Sequence, residues 1–220
     1  MILEPIYPKI LSVRRLHNAH PSLLEAYGAD PSKHSSLGLI TCDQDDSTYV
    51  ALDEATKHSP VDVVYAKSFY AGAAHASGRL SGEILGVIAG ANPDEIEEGL
   101  KAAIRCLDHD ACFYTADADG TIAVFPHVIS SLGYYLSEQA GLKFGDSMAY
   151  LVAPPMEASI ALDAALKAAD VRAAKIFPPP TETNFAAAWL TGELPECQAA
   201  AEAFAEMVVR VGMNAIEQLG

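Results

Sequence analysis

Ala51-Leu-Asp-Glu-Ala-Thr-Lys-His-Ser-Pro-Val-Asp-Val-Val-Tyr-Ala-Lys-Ser-Phe69 returns, two residues shorter, as Ala161-Leu-Asp-Ala-Ala-Leu-Lys-Ala-Ala-Asp-Val-Arg-Ala-Ala-Lys-Ile-Phe177. Both copies read A-L-D-x-A-x-K and then D-V-x-x-A-K-x-F. A period of about 110 residues is too long for a solenoid repeat and suits a small domain. The chain therefore reads as one domain type used twice, with residues 1–108 and 109–220 as the two domains.

The 220 residues, half of them hydrophobic, suffice for two units that each bury a core. A net charge of −15 and a pI near 4.7 argue against nucleic acid, whose backbone needs Lys and Arg to displace its counterions. Cys42, Cys106, Cys112 and Cys197 make no C-x-x-C pair, and nothing at the start resembles a secretory signal. Reduced thiols and a cytoplasmic location are expected. The most apolar runs, near 82–91 and 148–154, are too short to span a bilayer, so no membrane role is expected.

Residues 2–8 read as an irregular lead-in, 9–17 as a strand and 21–27 as a short helix stopped at Gly28. The apolar run 37–42 is a buried strand. Asp43-Gln-Asp-Asp-Ser47 reads as an acidic turn before the first block's helix, which Pro60 ends. A strand follows at 61–69, a loop at 70–82, a strand at 83–90 and a helix opened by Pro93. Beyond it come a hairpin (111–114 with 121–126), a helix at 128–140 and a strand at 147–153. The second block's helix and strand follow, then a loop at 178–183, a strand at 184–191 and a long Ala-rich helix at 195–218. Each unit is expected to be α+β, an antiparallel-rich sheet backed by helices on one face.

Residues 161–171 resemble the helix of the bacterial microcompartment (BMC) shell domain, with Lys167 at its edge-lysine position. Ser36-Leu-Gly-Leu-Ile40, Asp45-Asp-Ser-Thr-Tyr-Val50, 66–75, 145–155 and Pro178-Pro-Pro-Thr-Glu-Thr-Asn184 are similar to one subfamily, the tandem-domain shell proteins of ethanolamine utilisation (EutL). The resemblance implies two tandem, circularly permuted BMC domains. It implies a homotrimer forming a pseudo-hexagonal tile with a pore, packed with other shell proteins into a microcompartment shell. Lys57 holds the edge position in the first unit, where His58-Ser-Pro-Val61 replaces the A-A-D-V of the second. The loops after Phe69 and Phe177 would line the pore: Tyr70, Ala71, Gly72, Ala73, Ala74 and His75 in one, Pro178, Pro179 and Pro180 in the other. The first has small residues and a permissive glycine; the second is stiffened by its rings.

The resemblance also implies ethanolamine pockets between the domains, with Asp45, Glu83, Phe113 and Thr183 as ligand-binding residues. The chemistry suits a small cation carrying a hydroxyl. Carboxylates hydrogen-bond an ammonium, a ring face adds cation–π attraction, and Thr183 serves the hydroxyl. His109-Asp-Ala-Cys112 and the pair His17, His20 lack a matched second pair at zinc spacing, so no metal and no cofactor are expected. Phosphate-loop, dinucleotide, H-E-x-x-H and G-x-S-x-G motifs are all missing, and no enzyme is expected. A soluble tandem-domain sensor of small molecules is the alternative reading.

Overall fold

The computed structural model describes residues 4–69, 77–179, 181, 183–214 and 216. They run β1 (Pro5–Ile6), β2 (Ile10–Leu16), α1 (Pro21–Ala26), β3 (Ser36–Cys42), α2 (Asp45–His58), β4 (Asp62–Ser68), β5 (Ile84–Gly90) and α3 (Pro93–His109). Next come β6 (Phe113–Thr115), β7 (Ala123–Ile129), α4 (Tyr134–Ala140), β8 (Met148–Ala153) and α5 (Pro155–Ala168). The series closes with β9 (Arg172–Phe177), β10 (Ala186–Thr191) and α6 (Leu194–Met213). There are two compact units. The N-terminal unit holds residues 7–111 and 133–139; the C-terminal unit holds 4–6, 112–132 and the described residues from 140 onward.

The N-terminal unit is built on an antiparallel sheet of order β2-β3-β5-β4. β3 is buried along its length, which is why its sequence is a continuous apolar run rather than an alternating one. α2 and α3 pack together and against the sheet. α3 starts where the Asn92 side chain accepts from Asp94 N and Glu95 N, both at 3.0 Å, with Pro93 in the first turn. Its inward face carries Ile96, Gly99, Leu100, Ala103 and Leu107, at helical spacing. Each of the larger of these stabilises the fold by about 1.5–3 kcal/mol on burial. Leu24, Ala29, Leu37, Val87 and Ala89 form a separate apolar cluster with Tyr27 and Tyr65 packed against it.

The C-terminal unit holds a sheet of order β1-β6-β7-β8-β10-β9. Its last four strands repeat the order of the N-terminal sheet, with α5 and α6 in the places of α2 and α3. Alternate residues Ala149, Leu151 and Ala153 of β8 and Ala186, Ala188 and Leu190 of β10 share a core with Ala161, Ala165, Ala200 and Phe204 of the helices. The small side chains let helices and sheet approach closely. β4 and β9 carry register shifts, the irregularity typical of sheet edges.

The expected class, α+β with antiparallel sheets backed by helices, is the one observed. Three local expectations are corrected. Residues 128–140 are not one helix: Val128 and Ile129 finish β7, where Val128 pairs with Ala149, and the helix occupies only 134–140. β-branched residues fit the pleated surface better than a helix. The acidic turn is instead the first turn of α2, where Asp45 and Asp46 complement the helix dipole. The lead-in contains β1, which pairs Pro5 with Tyr114 and Ile6 with Phe113.

Candidate functional site

Asp45 is not the solvated carboxylate that its acidic surroundings suggest. It is 9% exposed, and Asp46 N donates to its Oδ1 at 2.9 Å. Ser68 Oγ, at the end of β4, donates to its Oδ2 at 2.7 Å. Tyr49 OH stands 2.9 Å from the same Ser68 oxygen. Burial pushes the Tyr49 phenol up to about 12, so the ring keeps its proton at neutral pH and donates to Ser68. Sequence reading missed Tyr49 and Ser68. The available signal was a serine in the first block where the second has Ile176, one residue before the shared Phe.

Glu83 stands beside this arrangement. Phe69 N, the next residue along from Ser68, donates to Glu83 O at 2.7 Å, and Glu83 N donates to Cys42 O at 2.7 Å. Thr41 Oγ1 accepts from Gly82 N at 3.0 Å. The strand ends at Ser68–Phe69 therefore tie Asp45 and Glu83 to one end of the sheet, at the base of the 69–83 connection.

Phe113 and Thr183 belong to the C-terminal unit. Phe113 is 8% exposed in an aromatic cluster, with ring centroids 4.9 Å from Phe125 and 6.0 Å from Phe185. Thr183, half-buried, lies in the turn closed by Thr181 N donating to Phe185 O at 3.2 Å, with Asn184 at φ 64°. Phe185 thus links Thr183's turn to Phe113. Of the residues expected to line a pore, Tyr70, Ala71, Gly72, Ala73, Ala74, His75 and Pro180 lie outside the described residues, while Pro178 and Pro179 are exposed.

The two lysines expected at a tile edge differ in their surroundings. The Lys57 side chain is 19% exposed, ion-paired to Glu54 and 4.0 Å from Asp53. The Lys167 side chain is 74% exposed and bonds Asp163 at 2.6 Å. Burial opposes ionisation of Glu54, but Lys57 and His58 together hold its carboxyl below the ordinary range.

The four cysteines are buried and free. Burial raises Cys42 to about 11 and Cys106 to about 12, so both stay protonated rather than nucleophilic at neutral pH. His17, His20 and His109 are exposed, and among the described residues no group of three His, Cys, Asp or Glu side chains is placed to hold a metal ion. No described helix is long and apolar enough to cross a membrane.

The BMC domain family matches residues 36–116. The bacterial microcompartment shell protein EutL of Clostridium perfringens is 51% identical over 209 residues, covering 95% of this chain and 96% of that one. EutL of Escherichia coli is 44% identical over 98% of both chains. The crystal structure of ethanolamine utilization protein EutL from Leptotrichia buccalis has a TM-score of 0.95 at 46% identity, covering 99% of this chain and 100% of that one. With the duplicated fold, these full-length likenesses decide the assignment: the chain belongs to the EutL family of bacterial microcompartment shell proteins.

Proposed function

We propose that three chains close into a pseudo-hexagonal tile in the cytoplasmic shell of an ethanolamine-utilisation microcompartment. The observation that carries this reading is the strand order β2-β3-β5-β4 repeated as β7-β8-β10-β9. A chain that supplies the same unit twice fills six places with three copies, and closed cyclic assemblies are the usual outcome for soluble oligomers. Small metabolites cross through pores lined by the loops after Phe69 and Phe177. The role is structural rather than catalytic, and other shell proteins are the tile's neighbours.

Ethanolamine is the proposed ligand. Asp45 and Glu83 take its ammonium group, supported by their attachment to one end of the N-terminal sheet. The proposal extends to Phe113 and Thr183 residue by residue. Losing a charge-assisted hydrogen bond costs about 1.5–3 kcal/mol, or roughly 10–100-fold in affinity. Asp45→Ala and Glu83→Ala should each weaken ethanolamine binding by that much in titration calorimetry. Unchanged affinity in both would remove these carboxylates from the site.

Of the two lysines, the exposed Lys167 suits contact between tiles. Lys167→Ala is expected to abolish extended sheets in electron microscopy while sedimentation still shows a trimer. Sheets of normal extent would place the tile edge elsewhere, and a monomer in the unsubstituted protein would favour the sensor.

A further inference from the structure

The duplication leaves one helix face bare. α2 and α5 are both 14 residues long and align without a gap, so Asp46, Val50, Asp53 and Thr56 correspond to Met156, Ile160, Asp163 and Leu166. On α2 all four are buried. On α5 Met156 is 67%, Ile160 44% and Leu166 36% exposed, and Asp163 is exposed with them. Met156, Ile160 and Asp163, at i, i+4 and i+7, share one side of the helix, with Leu166 in the next turn. The opposite side, with Ala158, Ala161 and Ala165, already lies in the core of the C-terminal unit. Apolar side chains clustered on the outer face of a helix mark a surface for a partner.

The buried copy shows what belongs there. α4 lies against α2: Gly133 N and Leu136 N donate to the Asp53 carboxylate, and Tyr134 N donates to Thr56 Oγ1. Leu136 is buried. α4 follows β7 after residues 130–133, just as α1 follows β2 after residues 17–20, so the two helices hold the same place in the repeat. The third residue of each is a leucine, Leu136 in α4 and Leu23 in α1. Leu23 is 38% exposed. The chain thus carries a helix face without its cover and a covering helix without its face. Both stand exposed in the single chain, so a second copy completes each.

We propose that α1 of one copy packs on α5 of the next, with Leu23 against Ile160 and Leu166, as α4 packs on α2. This joint is apolar rather than a second carboxylate cap. His20 already serves the first turn of α1: its O accepts from Leu23 N and Leu24 N, and its Nδ1 accepts from Ser22 N. Asp163 keeps its bond to Lys167 at the rim. The contact is heterologous, each chain giving one α1 and one α5, and such joints close a ring when the rotation per copy permits. Around that ring, α4 on α2 within a chain alternates with α1 on α5 between chains. The inference rests on the trimeric reading and adds to it which two helices make the joint.

The test uses full-length protein. A Leu23→Cys/Ile160→Cys double variant treated with a short bismaleimide should run on a denaturing gel as two- and three-chain species, well above the yield from either single variant. The four native thiols are buried and contribute little. Leu23→Asp and Ile160→Asp each place a charge at an exposed position of the single chain, so circular dichroism should not change. The concentration at which sedimentation finds half of the chains assembled should rise about tenfold or more in each. A trimer whose double variant yields only single chains overturns this joint and leaves the tile reading standing. So does a trimer whose assembly neither aspartate weakens. A monomer from the unsubstituted protein removes both.

Discussion

Asp53→Ala is expected to cost roughly 2–5 kcal/mol of folding free energy in urea denaturation, because it leaves two buried amides without an acceptor. Asp53 is fully buried on α2. Its Oδ2 accepts from Gly133 N at 2.7 Å and its Oδ1 from Leu136 N at 2.8 Å, while Thr56 Oγ1 accepts from Tyr134 N at 3.0 Å. The carboxylate thus caps the first turn of α4, and the packing is tight: a Cβ at Gly133 falls 2.5 Å from Asp53 O. Asp163→Ala is the control. Its side chain is 64% exposed, so the change should stay within about 0.5 kcal/mol. Equal effects of the two substitutions would remove Asp53 from this role.

The same residue sets a pH dependence. Burial holds the Asp53 carboxyl above its ordinary value of 3.8, against the pull of the Leu136 and Gly133 amides and of Lys57. The folded protein therefore binds this proton more tightly than the unfolded chain does. Its contribution to stability is full below 3.8 and is lost as the pH rises through the folded value. Relative to Asp53→Asn, which does not titrate, the unsubstituted protein should gain stability as the pH falls from neutral towards 3.8. A difference that does not change with pH would contradict this.

Gly82→Ala is expected to destabilise by about 3 kcal/mol, at the upper end of overpacking costs, and to weaken ethanolamine binding with it. A Cβ at Gly82 would lie 1.9 Å from Cys42 O and 2.6 Å from Cys42 C. These are backbone atoms and cannot rotate away. Cys42 O is also the acceptor for Glu83 N at 2.7 Å, so relieving the clash displaces Glu83. Gly78→Ala, where nothing lies within 4 Å of the added carbon, should be nearly neutral. If the two variants melt together, the close approach at Gly82 is not the constraint described.

Regular elements were legible where one physical signal dominated. Asn92-Pro93 with the spacing of Ile96, Leu100, Ala103 and Leu107 specifies α3 without help from the rest of the fold. Residues 128–140 misled because Val128 and Ile129 are apolar under either period, and pairing with β8 decided for the strand. Of the candidate site, the residue types were readable and the attachments were not. Nothing local says that Asp45 accepts from Ser68, since their meeting needs β4 to run back past the start of α2.

The sequence by itself determined the duplication, the α+β class and the family resemblance, all of which rest on local pattern and on identity between the halves. Tertiary structure decided what matching letters do. Asp53 and Asp163 occupy the same place in the repeat, as do Lys57 and Lys167. In the first copy Gly133 and Leu136 lie against the helix, so Asp53 is buried as a cap and Lys57 is drawn in beside it. In the second, Asp163 and Lys167 stay exposed as a solvent-facing pair, and screening leaves such a pair little effect on stability. Burial depends on what another part of the chain lays over a helix, and an isolated stretch of sequence carries no record of that.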